Sequence, residues 1–135
     1  MQLDRPDVIA EVADAFARYE RALMDERHEE LDEWFWADPR VVRFGIGEVQ
    51  YGPAAIAAWR RRAPHVGHDR ALDNTRIATF GTDAAVVTTE FARPGSPLLG
   101  RQSQTWIRID GAWRIVHAHV STLPVDAVER SGLPT

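Results

Sequence analysis

Residues 70 to 122 hold four strand-like runs in succession, and this block limits the chain's fold more than any other feature. The runs are Arg70 to Phe80, Ala84 to Ala92, Arg101 to Ile109 and Trp113 to Thr122. Gly81-Thr82-Asp83, Pro94-Gly95-Ser96-Pro97 and Asp110-Gly111 separate them. Asp-Gly between two such runs is a strong hairpin signal, because the tight turn needs positive φ at its centre. Four antiparallel strands are therefore expected, and their apolar face must be covered by another element.

The cover comes from earlier in the chain. Val8, Ile9, Val12, Phe16, Tyr19 and Leu23 recur at helical spacing within an arc of about 100°. Asp14, Arg18, Arg21 and Asp25 lie opposite. Asp4 is placed to cap this helix, Pro6 suits its first turn, and Asp7 favours the positive end of its dipole. It is expected to run to about Glu26. A second helix is predicted over about Glu29 to Trp36, with Leu31, Trp34 and Phe35 on one side and Asp38-Pro39 as its break. Val41 to Ile46 and Glu48 to Tyr51 read as short strands joined at Gly47. Gly52-Pro53 opens a third helix that ends in Arg60-Arg61-Arg62, with Ile56 and Trp59 on its apolar side.

The order α-α-β-β-α-β-β-β-β, helices early and strands late, is α+β in class. It predicts one domain over residues 1–135, with a core at about 6–123 and a loosely ordered tail at 124–135. Pro124 and Pro134 are unsuited to a central strand. To bury both apolar faces, a curved antiparallel sheet must wrap around the helices, and that leaves a pocket between first helix and sheet.

Composition narrows the chemistry. There is no cysteine, which excludes disulfides and thiolate zinc sites. All sixteen basic residues are arginine, so Schiff-base chemistry and an ammonium base are excluded. A net charge of −4 argues against a nucleic-acid partner. No run approaches the roughly 20 apolar residues of a membrane span. Met1 to Pro6 lacks a charged-then-apolar signal pattern, so a cytoplasmic setting is expected.

Tyr19 is the leading candidate for chemistry. Its ring should face the sheet, where it either packs and gives its hydroxyl to a backbone acceptor or donates a hydrogen bond or proton in the pocket. Arg43 shares one strand face with Val41 and Gly45. On an inner face it needs an anion, and its forked donors suit a carboxylate; the alternative is a solvent-facing or salt-bridged arginine. Gln102 and Gln104 share a face with Trp106, either orienting a polar ligand or solvated. His117 and His119 have a metal-compatible spacing but no third ligand is evident, so packing or a subunit contact is expected and no metal. His65 and His68 lie in a loop without a recognisable partner.

These elements, and the ending Trp106-x-Arg108-x-Asp110-Gly111-x-Trp113-x-Ile115-Val116-His117-x-His119-x-Ser121, resemble the nuclear-transport-factor-like, or SnoaL-like, cone fold. More narrowly the chain resembles the AtzH-like family. The matching stretches are Phe16-x-x-Tyr19-Glu20-x-Ala22-Leu23, Leu31-x-x-x-Phe35-Trp36-x-Asp38-Pro39, Val42-Arg43-Phe44-Gly45, Tyr51-Gly52, Thr89-Glu90-Phe91 and Gly100-Arg101-Gln102-Ser103-Gln104-Thr105-Trp106, within about residues 6–123. The resemblance implies a role beside an amidase in catabolism of nitrogen-rich compounds, with conversion of 1,3-dicarboxyurea to allophanate as the type reaction and no metal or organic cofactor. The tyrosine and arginine it implicates match Tyr19 and Arg43. We assign catalysis to Tyr19 and Arg43, and contacts with a small anionic substrate to Arg43, Trp59, Gln104 and Glu90. A homodimer is expected by fold analogy. The competing readings are a non-catalytic small-carboxylate binder or accessory domain, and an assembly module in which Tyr19 and Arg43 do not converge.

Overall fold

The structure is a computed structural model and describes residues 1–64 and 69–132; His65 and His68 lie outside the described residues. Helix α1 (Pro6–Met24) is followed by α2 (His28–Trp34), strands β1 (Val42–Phe44) and β2 (Val49–Tyr51), and helix α3 (Pro53–Arg62). Strands β3 (Ala71–Phe80), β4 (Ala84–Ala92), β5 (Leu98–Ile109) and β6 (Ala112–Pro124) complete a six-stranded sheet in the order β2-β1-β6-β5-β4-β3. The class and element order are those expected. The sheet is antiparallel except where β1 lies parallel to β6, with Val42, Arg43 and Phe44 opposite His117, Ala118 and His119.

Helix α1 buries Val8, Val12, Ala15, Phe16, Tyr19 and Ala22 against the inner face of the sheet, together with Trp106, Trp113 and Ile115. Its ends differ from expectation. Asp4 is not the cap, because its carboxylate is committed to the sheet. Asp4 Oδ1 accepts the Thr79 N–H at 2.9 Å, and the Asp4 N–H reaches Thr79 O at 3.1 Å. At the other end Glu26 turns left-handed at φ 52°, and the Arg27 N–H returns to Ala22 O at 2.9 Å. That closing turn stops the helix at Met24.

Phe35, expected within α2, is extended and bridges to Ile115 while staying 3% exposed. Pro124 ends a strand that is otherwise internal. It is tolerated because β1 covers only Val42 to Phe44 of that edge, so at Pro124 the missing N–H faces no partner strand. The tail is tied down in part by Arg130, whose guanidinium bonds Glu90 at 2.5 and 3.0 Å.

Candidate functional site

The site begins with a row of residues running across the sheet. Arg43 on β1 stands opposite Ala118 on β6, and Ala118 stands opposite Gln104 on β5. One pleat further along, Val120 faces Gln102. Side chains alternate along each strand, so these residues share the inner face. Ala118 contributes only a methyl between two long side chains. The space above it is the floor of a cavity of about 130 Å³. Tyr19 and Leu23 of α1 and Trp59 of α3 form its roof, and Ile46 and Glu48 stand with Arg43 at the β1–β2 end. Arg70, Phe91 and Arg93 form the far wall. A second space of about 60 Å³ shares Tyr19, Leu23, Arg43 and Trp59 and continues toward His28 and Arg60.

Arg43 is held from three sides. Its Nη1 donates to Glu48 Oε1 at 2.7 Å and to Gln50 Oε1 at 2.9 Å, and the guanidinium lies 4.2 Å from the centre of the Trp59 ring. Among the described residues both of its hydrogen bonds leave from Nη1, so Nη2 and Nε keep donors for a ligand. Gly45 explains how the pair fits. A Cβ there would sit 1.5 Å from Glu48 Oε1 and 2.7 Å from Arg43 Nη1, so the glycine leaves open the space in which the two side-chain ends meet over the strand. Arg43 therefore carries the salt bridge that the competing reading predicted, and it also lines the cavity.

Tyr19 is 7% exposed, with the rings of Phe35 and Trp106 edge-on at 6.2 and 6.3 Å. Its ring packs as a core residue would. Its hydroxyl has no hydrogen-bond partner among the described residues. Burial pushes its pKa above the ordinary tyrosine value and the Glu20 carboxylate adds to this, while Arg60, Arg43 and Arg70 pull the other way. At neutral pH it is therefore an uncharged O–H, suited to donating a hydrogen bond rather than to standing as a phenolate.

The far wall is built around Arg70, whose side chain is 4% exposed. Its Nη2 donates to Glu20 Oε1 at 2.5 Å and Gln102 Oε1 at 3.2 Å, and its guanidinium stacks 4.3 Å from the Phe91 ring centre. Gln104 Oε1 accepts from Trp106 Nε1 at 3.0 Å. The indole N–H is a donor only, so this bond fixes the amide orientation.

Of the residues assigned from sequence, Tyr19, Arg43, Trp59 and Gln104 come together on this cavity. Glu90 does not. Ala85, Val87, Thr89 and Phe91 are the buried set of β4, so the intervening Glu90 points away and pairs with Arg130 and Asn74. The same alternation was readable in the sequence. Gln102, like Gln104, faces inward and is buried rather than solvated. Arg70, Arg93, Glu48 and Ala118 were not foreseen as lining residues. Arg70 lies just before β3, and its acid partner lies 50 positions away, so no local pattern marks it. His117 and His119 flank Phe44 on the other sheet face, each ring 5.5 Å from it.

The sequence model of the AtzH-like family matches residues 1–126. Two solved structures resemble the chain over nearly their whole lengths. A cystatin-like fold protein from Burkholderia xenovorans is 48% identical with a TM-score of 0.90, covering 93% of this chain and 98% of that one. A protein of unknown function from Pectobacterium atrosepticum is 50% identical with a TM-score of 0.87, covering 90% and 94%. A nuclear transport factor 2-like protein from Salmonella enterica, at 22% identity and a TM-score of 0.71 over 95% and 99%, shares the fold. Among curated proteins, none matches the sequence.

Proposed function

The chain belongs to the AtzH-like family, and on that footing we propose that it hydrolyses a carbon–nitrogen bond in a small carboxylated urea or related carbamate, of the 1,3-dicarboxyurea-to-allophanate type. The observation that carries the reading is that an unbonded tyrosine hydroxyl and a guanidinium with donors to spare line one small cavity. Arg43 takes a carboxylate of the substrate through two parallel hydrogen bonds. Tyr19 donates to the carbonyl oxygen on which charge develops. Water adds to the terminal carboxyl carbon, the C–N bond breaks, the nitrogen takes a proton from that water, and bicarbonate leaves. Trp59 and Gln104 hold the planar body. Neither a metal nor an organic cofactor is needed for these steps. The proposal includes a homodimer and a partner amidase acting on the product. Val49 and Tyr51, 58% and 68% exposed beside Phe44, give an apolar patch on which two copies could meet.

A non-catalytic carboxylate binder is the second reading, and one observation favours it. Glu48 is the carboxylate among the cavity's described lining residues, and it is committed to Arg43. Detection of product by mass spectrometry separates the two.

Tyr19→Phe tests the catalytic reading. The ring stays, so no cavity is made, and loss of the donor is expected to lower kcat by about 100-fold with little change in KM. Because burial holds the Tyr19 pKa up, the parent should show no alkaline decline assignable to Tyr19 below the ordinary tyrosine value of about 10. Full activity in Tyr19→Phe would remove the tyrosine from the mechanism.

Ala118→Leu tests the cavity itself. The added methylenes enter open space, so stability should change by about 1 kcal/mol or less. Ligand affinity, read by calorimetry, should fall at least about tenfold, or about 1.4 kcal/mol.

A further inference from the structure

Resting on the reading of this cavity as the ligand site, we infer that Arg70 and Gln102 form a second carboxylate subsite across the floor from Arg43, so that the ligand is held at both ends. Arg70 has donors only, so the bond from its Nη2 forces Gln102 to present its oxygen. The Gln102 amide nitrogen is then turned elsewhere, and it has no hydrogen-bond partner. Arg70 Nε and Arg93 Nε are buried without partners as well. All three residues line the cavity, and Arg70 and Gln102 are each 4% exposed.

The chemistry of the missing group follows from what is left over. Among the buried side-chain atoms of the described residues at this wall, three donors lack acceptors and no acceptor lacks a donor. A urea nitrogen brings more donors and would meet them unpaired. A carboxylate brings acceptors alone. Charge agrees: Glu20 balances Arg70, whereas Arg93 has no ion-pair partner among the described residues. Arg43 and Gln102 stand two strands apart in the sheet, about 10 Å of backbone, and their side chains reach toward one small space. A ligand with carboxylates at both ends matches it better than one with a single charged end.

The test uses malonate and malonamate, which differ by one carboxylate replaced with an amide, titrated by calorimetry into the parent, Gln102→Leu and Gln102→Glu. The parent should bind malonate at least about tenfold more tightly. Both variants should bring that ratio close to one while malonamate affinity stays within about twofold. Gln102→Glu keeps an acceptor for Arg70 and so guards against a folding defect in the leucine variant. No discrimination by the parent, or equal loss of both probes in the Gln102 variants, overturns the second subsite. If Arg43→Lys still weakens both probes in that case, the cavity reading stands. A parent that binds neither probe overturns both.

Discussion

Arg43→Ala is expected to reduce kcat/KM by about 10²–10⁴-fold, since two hydrogen bonds to a charged group contribute about 1.5–3 kcal/mol each and about 1.4 kcal/mol is tenfold. The loss should fall on KM and kcat together if Arg43 both anchors the substrate and orients it toward Tyr19. The same change removes the partner of Gln50, which is 4% exposed, and of Glu48. An unsatisfied buried amide costs about 1–3 kcal/mol, so urea unfolding should show a loss of that order. Arg43→Lys separates the two effects. It keeps a charge for Glu48 but cannot form a two-pronged contact. Recovery of stability with most of the catalytic loss retained is the expected pattern. Activity that tracks only the folded fraction in both variants would leave Arg43 as a structural residue.

How much of this was readable depended on range. Strand β4 was readable to the residue, because the turns at Gly81-Thr82-Asp83 and Pro94-Gly95 bracket it and its pattern is local. The apolar stripe that places Tyr19 was equally local. The parallel seating of β1 on β6 was not, since it joins residues 75 positions apart, as in the His117 Nδ1 contact with Val42 O. That seating puts Ala118 beside Arg43 and so creates the cavity floor. Arg70 was missed for the same reason: its role comes from Glu20 and Gln102, distant in sequence. Glu90 is a different case. It was assigned on a motif, although its neighbours' period-two pattern already turned it outward.

Gly100→Ala is expected to cost about 3 kcal/mol, at the upper end of overpacking penalties. Phe91 lies directly across from Gly100 in the β4–β5 ladder, with its ring folded over the glycine. A Cβ at Gly100 would stand 2.1 to 2.4 Å from three ring carbons. Phe91 is 4% exposed, so the ring has little room to retreat. At this chain length the penalty should lower the thermal midpoint by roughly 10 °C. The consequence reaches the site, because the displaced ring is the platform on which Arg70 stacks at 4.3 Å. Binding of malonate should therefore weaken in the folded fraction as well. The pair predicts its own rescue. In Phe91→Leu the smaller side chain vacates the space, so Gly100→Ala added to Phe91→Leu should cost at least about 1 kcal/mol less than it does alone. Strict additivity of the two changes would mean that the ring does not occupy the glycine's space in solution, and the stacked Arg70 wall would lose its support.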